Sequence, residues 1–353
     1  MQAGLMATYH NPVSTRGALA WVLAAVLVGF YVDLYFYEHL TPIASAIGLP
    51  SKWSLYGLLY CVAMLFGGWF MLRRHGNSTY HKLRTISLVS VQIVLAFSLP
   101  LVMKIAGHPE YYFSYFWPLS YDKLFPSTLT SLPWYLAAYS VVGTAVAVPI
   151  LTYFYGKRWY CSWVCGCGGL AETFGEPWRH LSDKSQKAWK FEQVSIHTVL
   201  LLVCVVTGLQ IADAAGAEGV THVLASQTKS AYGFAIGAVW SGVIGVGFYP
   251  LMGTRVWCRF GCPMAAMLGL IQKFGRFRIT VKKDMCISCG NCSAYCEMGI
   301  DVRQYAMQNR DVKRASCVGC GMCAHVCPRG VLRLETRRDA GPGVHTQQWT
   351  VDL

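Results

Sequence analysis

Twelve of the chain's fifteen cysteines stand at two- or three-residue gaps, and eight of them form two matched runs near the carboxyl end. The first reads Cys286-x-x-Cys289-x-x-Cys292-x-x-x-Cys296, the second Cys317-x-x-Cys320-x-x-Cys323-x-x-x-Cys327-Pro328. Two-residue gaps turn successive sulfurs inward from a tight loop, and a fourth sulfur from further off completes the set. That is the spacing that holds a [4Fe–4S] cube. A zinc site draws paired cysteines from two loops and stops at four ligands, and a disulfide framework belongs to small secreted domains. Two iron–sulfur clusters are the economical reading. Gly290, Gly319 and Gly321 suit loops that wrap a cluster closely, because glycine tolerates unusual backbone angles. Glu297 follows Cys296 where Pro328 follows Cys327, a break in the match between the runs.

The rest of the chain is a different kind of material. Of its 353 residues, 54% are hydrophobic and only 13% charged, against about 25% charged in a soluble protein. Six apolar stretches are long enough to cross a bilayer core of about 30 Å. They run near Ala18–Phe36, Trp53–Leu72, Ile86–Ile105, Leu132–Tyr155, Val194–Ala212 and Ala231–Met252. Pro100 and Pro149 fall inside two of them, as kinks a helical bundle tolerates. Ala44-Ser45-Ala46 looks like a signal cleavage site, but the apolar run before it is longer than a signal core, so an uncleaved anchor is expected.

A net charge of +13 invites a nucleic-acid reading, which its distribution opposes. One set of alternate loops holds Arg16, Arg73, Arg74, Lys82, Arg84, Lys157, Arg158, Arg179, Lys184, Lys187 and Lys190; the other holds Lys52, Lys104, Lys123 and Lys229. The basic excess marks the cytoplasmic side, which places both termini inside the cell and the chain in the inner, cytoplasmic membrane. The aromatic stretch Tyr111–Leu119 is too short to span and is expected to lie on the outer face. The Ser182–Gln193 segment reads as a helix along the inner surface.

Two of the inner loops resemble each other. Gly156-Lys157-Arg158-Trp159-Tyr160-Cys161-Ser162-Trp163-Val164-Cys165 follows the fourth span, and Gly253-Thr254-Arg255-Val256-Trp257-Cys258-Arg259-Phe260-Gly261-Cys262 follows the sixth. Both are Gly-x-Arg-x-aromatic-Cys-x-x-x-Cys, an internal repeat of a helix pair and its exit loop. A three-residue gap puts both thiols of a pair on one helical face. Four sulfurs at the membrane surface could hold a third cluster or copper, since thiolates are soft ligands. They could also form a dithiol redox pair or be packing residues. Cys167 adds a thiol to the first loop alone, as an extra ligand or as a small residue.

A polytopic body, paired Cys-x-x-x-Cys exits and a double-cluster tail together resemble the membrane polyferredoxins. This group includes the quinol-dehydrogenase membrane subunit of periplasmic nitrate reductase, the membrane regulator of nitrous oxide reduction, and the cytochrome-oxidase assembly polyferredoxins linked to copper reduction. The likeness covers roughly residues 130–335, and its exits usually read Cys-x-x-x-Cys-Pro, which Cys262-Pro263 matches and Cys165-Gly166 does not. The resemblance implies electron transfer between a membrane donor and another redox protein. As in two-cluster ferredoxins, where the fourth ligand crosses over, Cys286, Cys289 and Cys292 are expected to share a cluster with Cys327. Cys317, Cys320 and Cys323 are expected to share one with Cys296.

The expected fold is thus a polytopic α-helical membrane protein of about six transmembrane helices (1–275), a cytoplasmic α+β ferredoxin-like module with two [4Fe–4S] clusters (276–338) and a tail (339–353). Strands near Arg278–Val281 and Val331–Glu335 should close the module. The expected function is a relay of single electrons from a quinol or partner subunit to a redox protein. The alternative is a membrane metal reductase or assembly factor in which Cys161, Cys165, Cys258 and Cys262 hold copper. His197 has no second intramembrane histidine to pair with across a haem. Asp33, near the outer end of the first span, reads as an interfacial residue, or as a proton acceptor at a quinol site.

Overall fold

A computed structural model describes residues 16–216 and 219–336, together with the two-residue strand Gln348–Trp349. The expected tail 339–353 otherwise lies outside the described residues. In chain order the elements that position the site are α1 (Ala18–Phe36), α2 (Lys52–His75), α3 (Thr79–Ile105), α4 (Trp134–Tyr155), α5 (Arg158–Cys161), α6 (Gly166–Glu172), α7 (Gln186–Ala214), α8 (Val220–Gly247), α9 (Val256–Phe260) and α10 (Pro263–Phe274). Among the described residues, α1, α2, α3, α4, α7 and α8 are six helices long and apolar enough to cross a membrane. Their outward faces carry exposed Trp21, Val26, Phe66 and Leu201. In water such a surface would drive aggregation; in lipid it is matched to its solvent.

Serine caps start three of these helices. Ser51, Ser78 and Ser185 each accept a hydrogen bond from the backbone N–H three residues on, at the heads of α2, α3 and α7. Two internal prolines are absorbed by local unwinding. The turns Gln92–Ser98 and Gly143–Ala147, immediately ahead of Pro100 and Pro149, are π-helical. A proline clashes with the carbonyl one turn back, and a wider turn there relieves the clash.

Three expectations about the body need correction. The helices α3 and α7 begin seven to eight residues before the apolar stretches do, because each is capped by serine and continues into a polar first segment. The Ser182–Gln193 segment is consequently no separate surface helix. From Gln186 onward it is the first part of α7, with no glycine or proline before Gly208 to break it. The stretch Tyr111–Leu119 does not lie on the outer face but turns into the bundle. Tyr111 and Phe116 are buried, and Tyr160 Oη donates to Ser114 O at 2.9 Å. Irregular backbone at this depth is tolerated where protein surrounds it.

The module follows α10 directly. Strand β1 (Phe277–Val281) pairs antiparallel with β2 (Leu332–Thr336), in register Phe277↔Thr336 through Val281↔Leu332, and β2 pairs with β3 (Gln348–Trp349). Three short helices, α11 (Asn291–Ala294), α12 (Val302–Met307) and α13 (Met322–His325), complete it. Alternate strand residues Phe277, Ile279, Leu332 and Leu334 are buried, as a half-covered sheet requires. The largest apolar core is shared: these residues pack in one cluster with Cys161, Cys165, Cys258 and Cys262 of the exit loops. The module is docked on the bundle, not tethered beneath it.

Candidate metal centres

The two tail runs fold into equivalent loops. Gly290 and Gly321 take φ of 83° and 82° at the heads of α11 and α13, and Ser288 and Gly319 take 57° and 62° just before them. These left-handed residues reverse the chain tightly enough to aim three sulfurs at one point. Beyond each run, the N–H of Ile300 donates to Cys296 Sγ and that of Val331 to Cys327 Sγ, both at 3.4 Å. Cys286, Cys289, Cys292 and Cys327 line one small cavity. Cys296, Cys317, Cys320 and Cys323 line a second. Each cavity thus brings three sulfurs from one run together with the fourth of the other.

The donor set fits iron–sulfur chemistry. Burial pushes the Cys317 thiol up to about 11 and the Cys292 thiol up to about 12. Without a metal these groups hold their protons, and metal binding must expel them. Backbone N–H groups aimed at sulfur favour the thiolate form and raise a cluster's potential. Of the eight, Cys289 is exposed, with Ile287 and Met307 exposed beside its loop.

The exit loops differ from the expected geometry. The paired thiols do not share one continuous helical face. Cys161 closes α5 and Cys165 caps α6, while Cys258 lies in α9 and Cys262 caps α10. Each break is a wide turn, closed from Cys165 N–H to Tyr160 O at 2.8 Å and from Cys262 N–H to Trp257 O at 2.9 Å. Pro263, which has no N–H, forces the second break and starts α10. All four thiols are buried. Burial pushes Cys258 up to about 12 against the pull of the Arg255 guanidinium. The same Arg255 Nη1 reaches Cys258 Sγ at 3.7 Å and Cys161 O at 3.2 Å, so the two loops face each other. The N–H of Ala265 reaches Cys262 Sγ at 3.4 Å. Cys167 hydrogen-bonds to Cys165, beside this group.

The first exit loop packs against the spanning helices α2 and α3. Tyr60 Oη donates to Gly166 O at 2.9 Å, and the Gln92 amide donates to Val164 O. Gln92 lies eight residues beyond Arg84 in α3, roughly 12 Å along the axis, and Arg84 donates to Cys320 O in the module. The cysteine loops are therefore sunk into the bundle.

Between the exit loops and the second tail cavity runs a buried ion network. Glu172 meets Arg84 Nη2 at 2.9 Å, Arg179 Nη2 at 2.6 Å and Arg255 Nη2 at 2.8 Å. Glu297 meets Arg179 at 3.3 Å and Arg255 at 3.1 Å. At its two edges the network touches sulfur: Arg179 Nη1 donates to Cys320 Sγ and Arg255 Nη1 to Cys258 Sγ, each at 3.7 Å. Burial works against charge on Glu172, and the three guanidiniums outweigh it, holding the carboxyl well below the usual range. Burial pushes Glu297 up against the pull of Arg179 and Arg255. Glu172, Glu297 and Cys320 are close enough to suggest a metal site, but the guanidiniums already occupy the carboxylates. Sequence reasoning missed this group; its one visible sign was Glu297 standing in the place of a proline.

On the other side of the exit loops the bundle holds a cavity of about 390 Å³ lined by Trp53, Tyr56, Tyr60, Phe97, Tyr112 and Tyr115. Glu110 also lines it, accepting from Tyr112 Oη at 2.5 Å and pairing with Lys104 at 3.2 Å. Asp33 lies outside it, 2.6 Å from His39 Nδ1. His197 is exposed, its Nδ1 2.6 Å from Gln193 O.

Comparison with known proteins agrees with this chemistry. The profile of the 4Fe-4S dicluster domain matches residues 279–334, and that of the 4Fe-4S binding domain matches twice, over 137–190 and 232–282. The chain is 28% identical over 166 residues to the methylamine utilization ferredoxin-type protein MauN of Paracoccus denitrificans, covering 46% of this chain and 56% of that one. It is 24% identical over 163 residues to the putative electron transport protein YccM of Escherichia coli, covering 41% and 43%. The MauN protein of Methylobacillus flagellatus is 23% identical over 181 residues, covering 50% and 59%. The chain spans about half the length of these relatives. No solved structure matches.

Proposed function

We propose that this chain, which matches 4Fe-4S domain profiles and is similar to ferredoxin-type electron transport proteins, is a polyferredoxin relay that carries single electrons from a lipid-soluble quinol in the bundle to a redox protein at the module's surface. The observation that carries this reading is the order of the sites. The aromatic cavity shares Tyr60 with the exit loop, the exit loops touch the ion network, and the network touches the cavity of Cys296, Cys317, Cys320 and Cys323. The cavity of Cys286, Cys289, Cys292 and Cys327 follows, ending at exposed Cys289.

The cysteines of each tail cavity would ligate one [4Fe–4S] cluster, and Cys161, Cys165, Cys258 and Cys262 a third. The clusters supply the one-electron chemistry. The chain's own part is to hold them, exclude water and set their potentials by burial and donors to sulfur. The match of a 4Fe-4S binding domain across both exit loops favours a cluster there over copper, and a metal count separates the two. A quinol in the cavity would find Glu110 as a proton acceptor. The basic inner loops support a cytoplasmic module in the inner membrane, with 1–275 as membrane body and 276–338 as module.

The test is anaerobic reduction of the full chain in vesicles by a short-chain quinol, followed by the low-temperature magnetic resonance of reduced clusters. The double variant Cys161→Ser, Cys258→Ser should abolish reduction by quinol while dithionite still reduces the tail clusters. Unimpaired quinol reduction in that variant would overturn the proposed route.

A further inference from the structure

The ion network is an odd object to bury. Arg84, Arg179 and Arg255 are essentially without solvent exposure, as are Glu172 and Glu297. Charges taken out of water are costly, and replacing such a group by apolar side chains is often neutral or stabilising. A network whose sole task was adhesion between module and bundle would have cheaper substitutes. Adhesion is also supplied elsewhere: Ser162 Oγ donates to Val318 O at 2.9 Å, Tyr80 Oη to Gly319 O at 2.8 Å, and Gln272 Nε2 to Cys317 O at 3.0 Å.

Its connectivity points to a more specific use. Glu172 contacts all three guanidiniums. One of them, Arg179, donates to a sulfur of the second tail site, and another, Arg255, donates to a sulfur of the exit site and to Cys161 O at 3.2 Å. Arg84 donates to the carbonyl of the same Cys320. Both sulfur donors therefore share the Glu172 carboxylate at 2.6 and 2.8 Å, with Glu297 further off at 3.3 and 3.1 Å. They come from different parts of the chain: Arg179 from the segment before α7, Arg255 from the loop after α8, and Glu172 from the end of α6. The first exit loop has no equivalent. Its repeat arginine, Arg158, lies over Phe277 at 4.7 Å and reaches Thr336 at 3.3 Å.

We propose that Glu172, Arg179 and Arg255 form a coupling bridge that makes the potential of the exit centre depend on the charge of the second tail cluster, and the reverse. This rests on the proposed reading that both sites carry redox centres. A thiolate on a reduced cluster is a stronger acceptor than on an oxidised one. An electron on the tail cluster draws Arg179 toward Cys320 and away from Glu172. Glu172 then holds Arg255 harder, Arg255 donates less to Cys258, and the exit centre's potential falls. In a water-excluded setting charges act over such distances with little screening. The three side chains are positioning residues: they act on the centres without ligating them.

The experiment is a potentiometric titration of the full chain, anaerobic and followed by electron paramagnetic resonance, with both centres read separately. In Glu172→Gln, which keeps the shape and removes one negative charge, both midpoints should rise. The expected size is about a tenfold change in the ratio of reduced to oxidised centre at fixed ambient potential, or about 59 mV for a one-electron couple. In Arg179→Lys, which keeps the charge and loses the planar fork, the exit centre's midpoint should shift although the substituted residue touches only the tail site. If Glu172→Gln does not load both centres, the Arg179→Lys titration decides. A shift confined to the tail cluster, with both signals present, overturns the bridge and leaves the electron-transfer reading intact. Absence of any exit-site signal in the unaltered protein overturns the bridge together with the third centre of the proposed function.

Discussion

At the scale of single residues, the eight tail cysteines were legible because their information is local. A ligand loop is written in consecutive gaps, and the chain need only turn where glycine allows. Replacing Cys289 by Ser should remove the resonance of one cluster and replacing Cys320 by Ser that of the other; survival of both resonances in each variant would refute the ligand sets. Glu172 was not legible. Of its partners, Arg179 stands seven residues on, but Arg84 lies in α3 and Arg255 and the neighbouring Glu297 are more than eighty residues further along the chain, and no spacing links them. Gly168 is a further case where only the fold explains the residue. A Cβ there would overlap the Cys161 carbonyl, so Gly168→Ala should strip iron from the exit site while the tail keeps its own, as an iron count per chain would record.

At the scale of elements, the crossing helices were legible from apolar length, and their ends were not. The helices α3 and α7 run past the apolar stretch, and one face of each polar first segment meets the module instead of water: Arg84 and Glu192 are buried, while Lys82, Lys187 and Lys190 are exposed. Arg84 in α3 donates to Cys320 O, and Glu192 in α7 accepts from Arg259 Nε at 2.7 Å and from Ser316 Oγ. Composition cannot tell a charge facing solvent from one facing another domain. The Tyr111–Leu119 stretch misleads for a related reason: an aromatic segment suits lipid and bundle interior alike. Helix α3 also anchors the first exit loop. Gln92 donates to Val164 O and accepts from Tyr60 Oη at 3.3 Å. Gln92→Leu takes the Gln92 donor from Val164 O in an apolar setting, while Tyr60 Oη keeps Gly166 O, and should cost about 1–3 kcal/mol, seen as a lower unfolding temperature in detergent and earlier loss of the exit centre. An unchanged temperature would mean the loop is held elsewhere.

At the scale of the whole molecule, bundle and module form one body around a shared core, an arrangement that the sequence reading of a separate membrane body and cytoplasmic module does not foresee. Removing residues 276–353 would uncover the exit loops and leave Ser162, Tyr80 and Gln272 without their carbonyl partners. The truncated chain should therefore lose exit-site iron as well as tail iron; retention of exit-site iron would show that the loops assemble without the module. The central claim is that three cysteine sites lie in line from the bundle to the surface and that each holds a cluster. Its most direct test is the iron and acid-labile sulfide content of the full chain purified without air. The account predicts about twelve of each per chain, four for each cube. About eight, or copper in place of the last four irons, would contradict it.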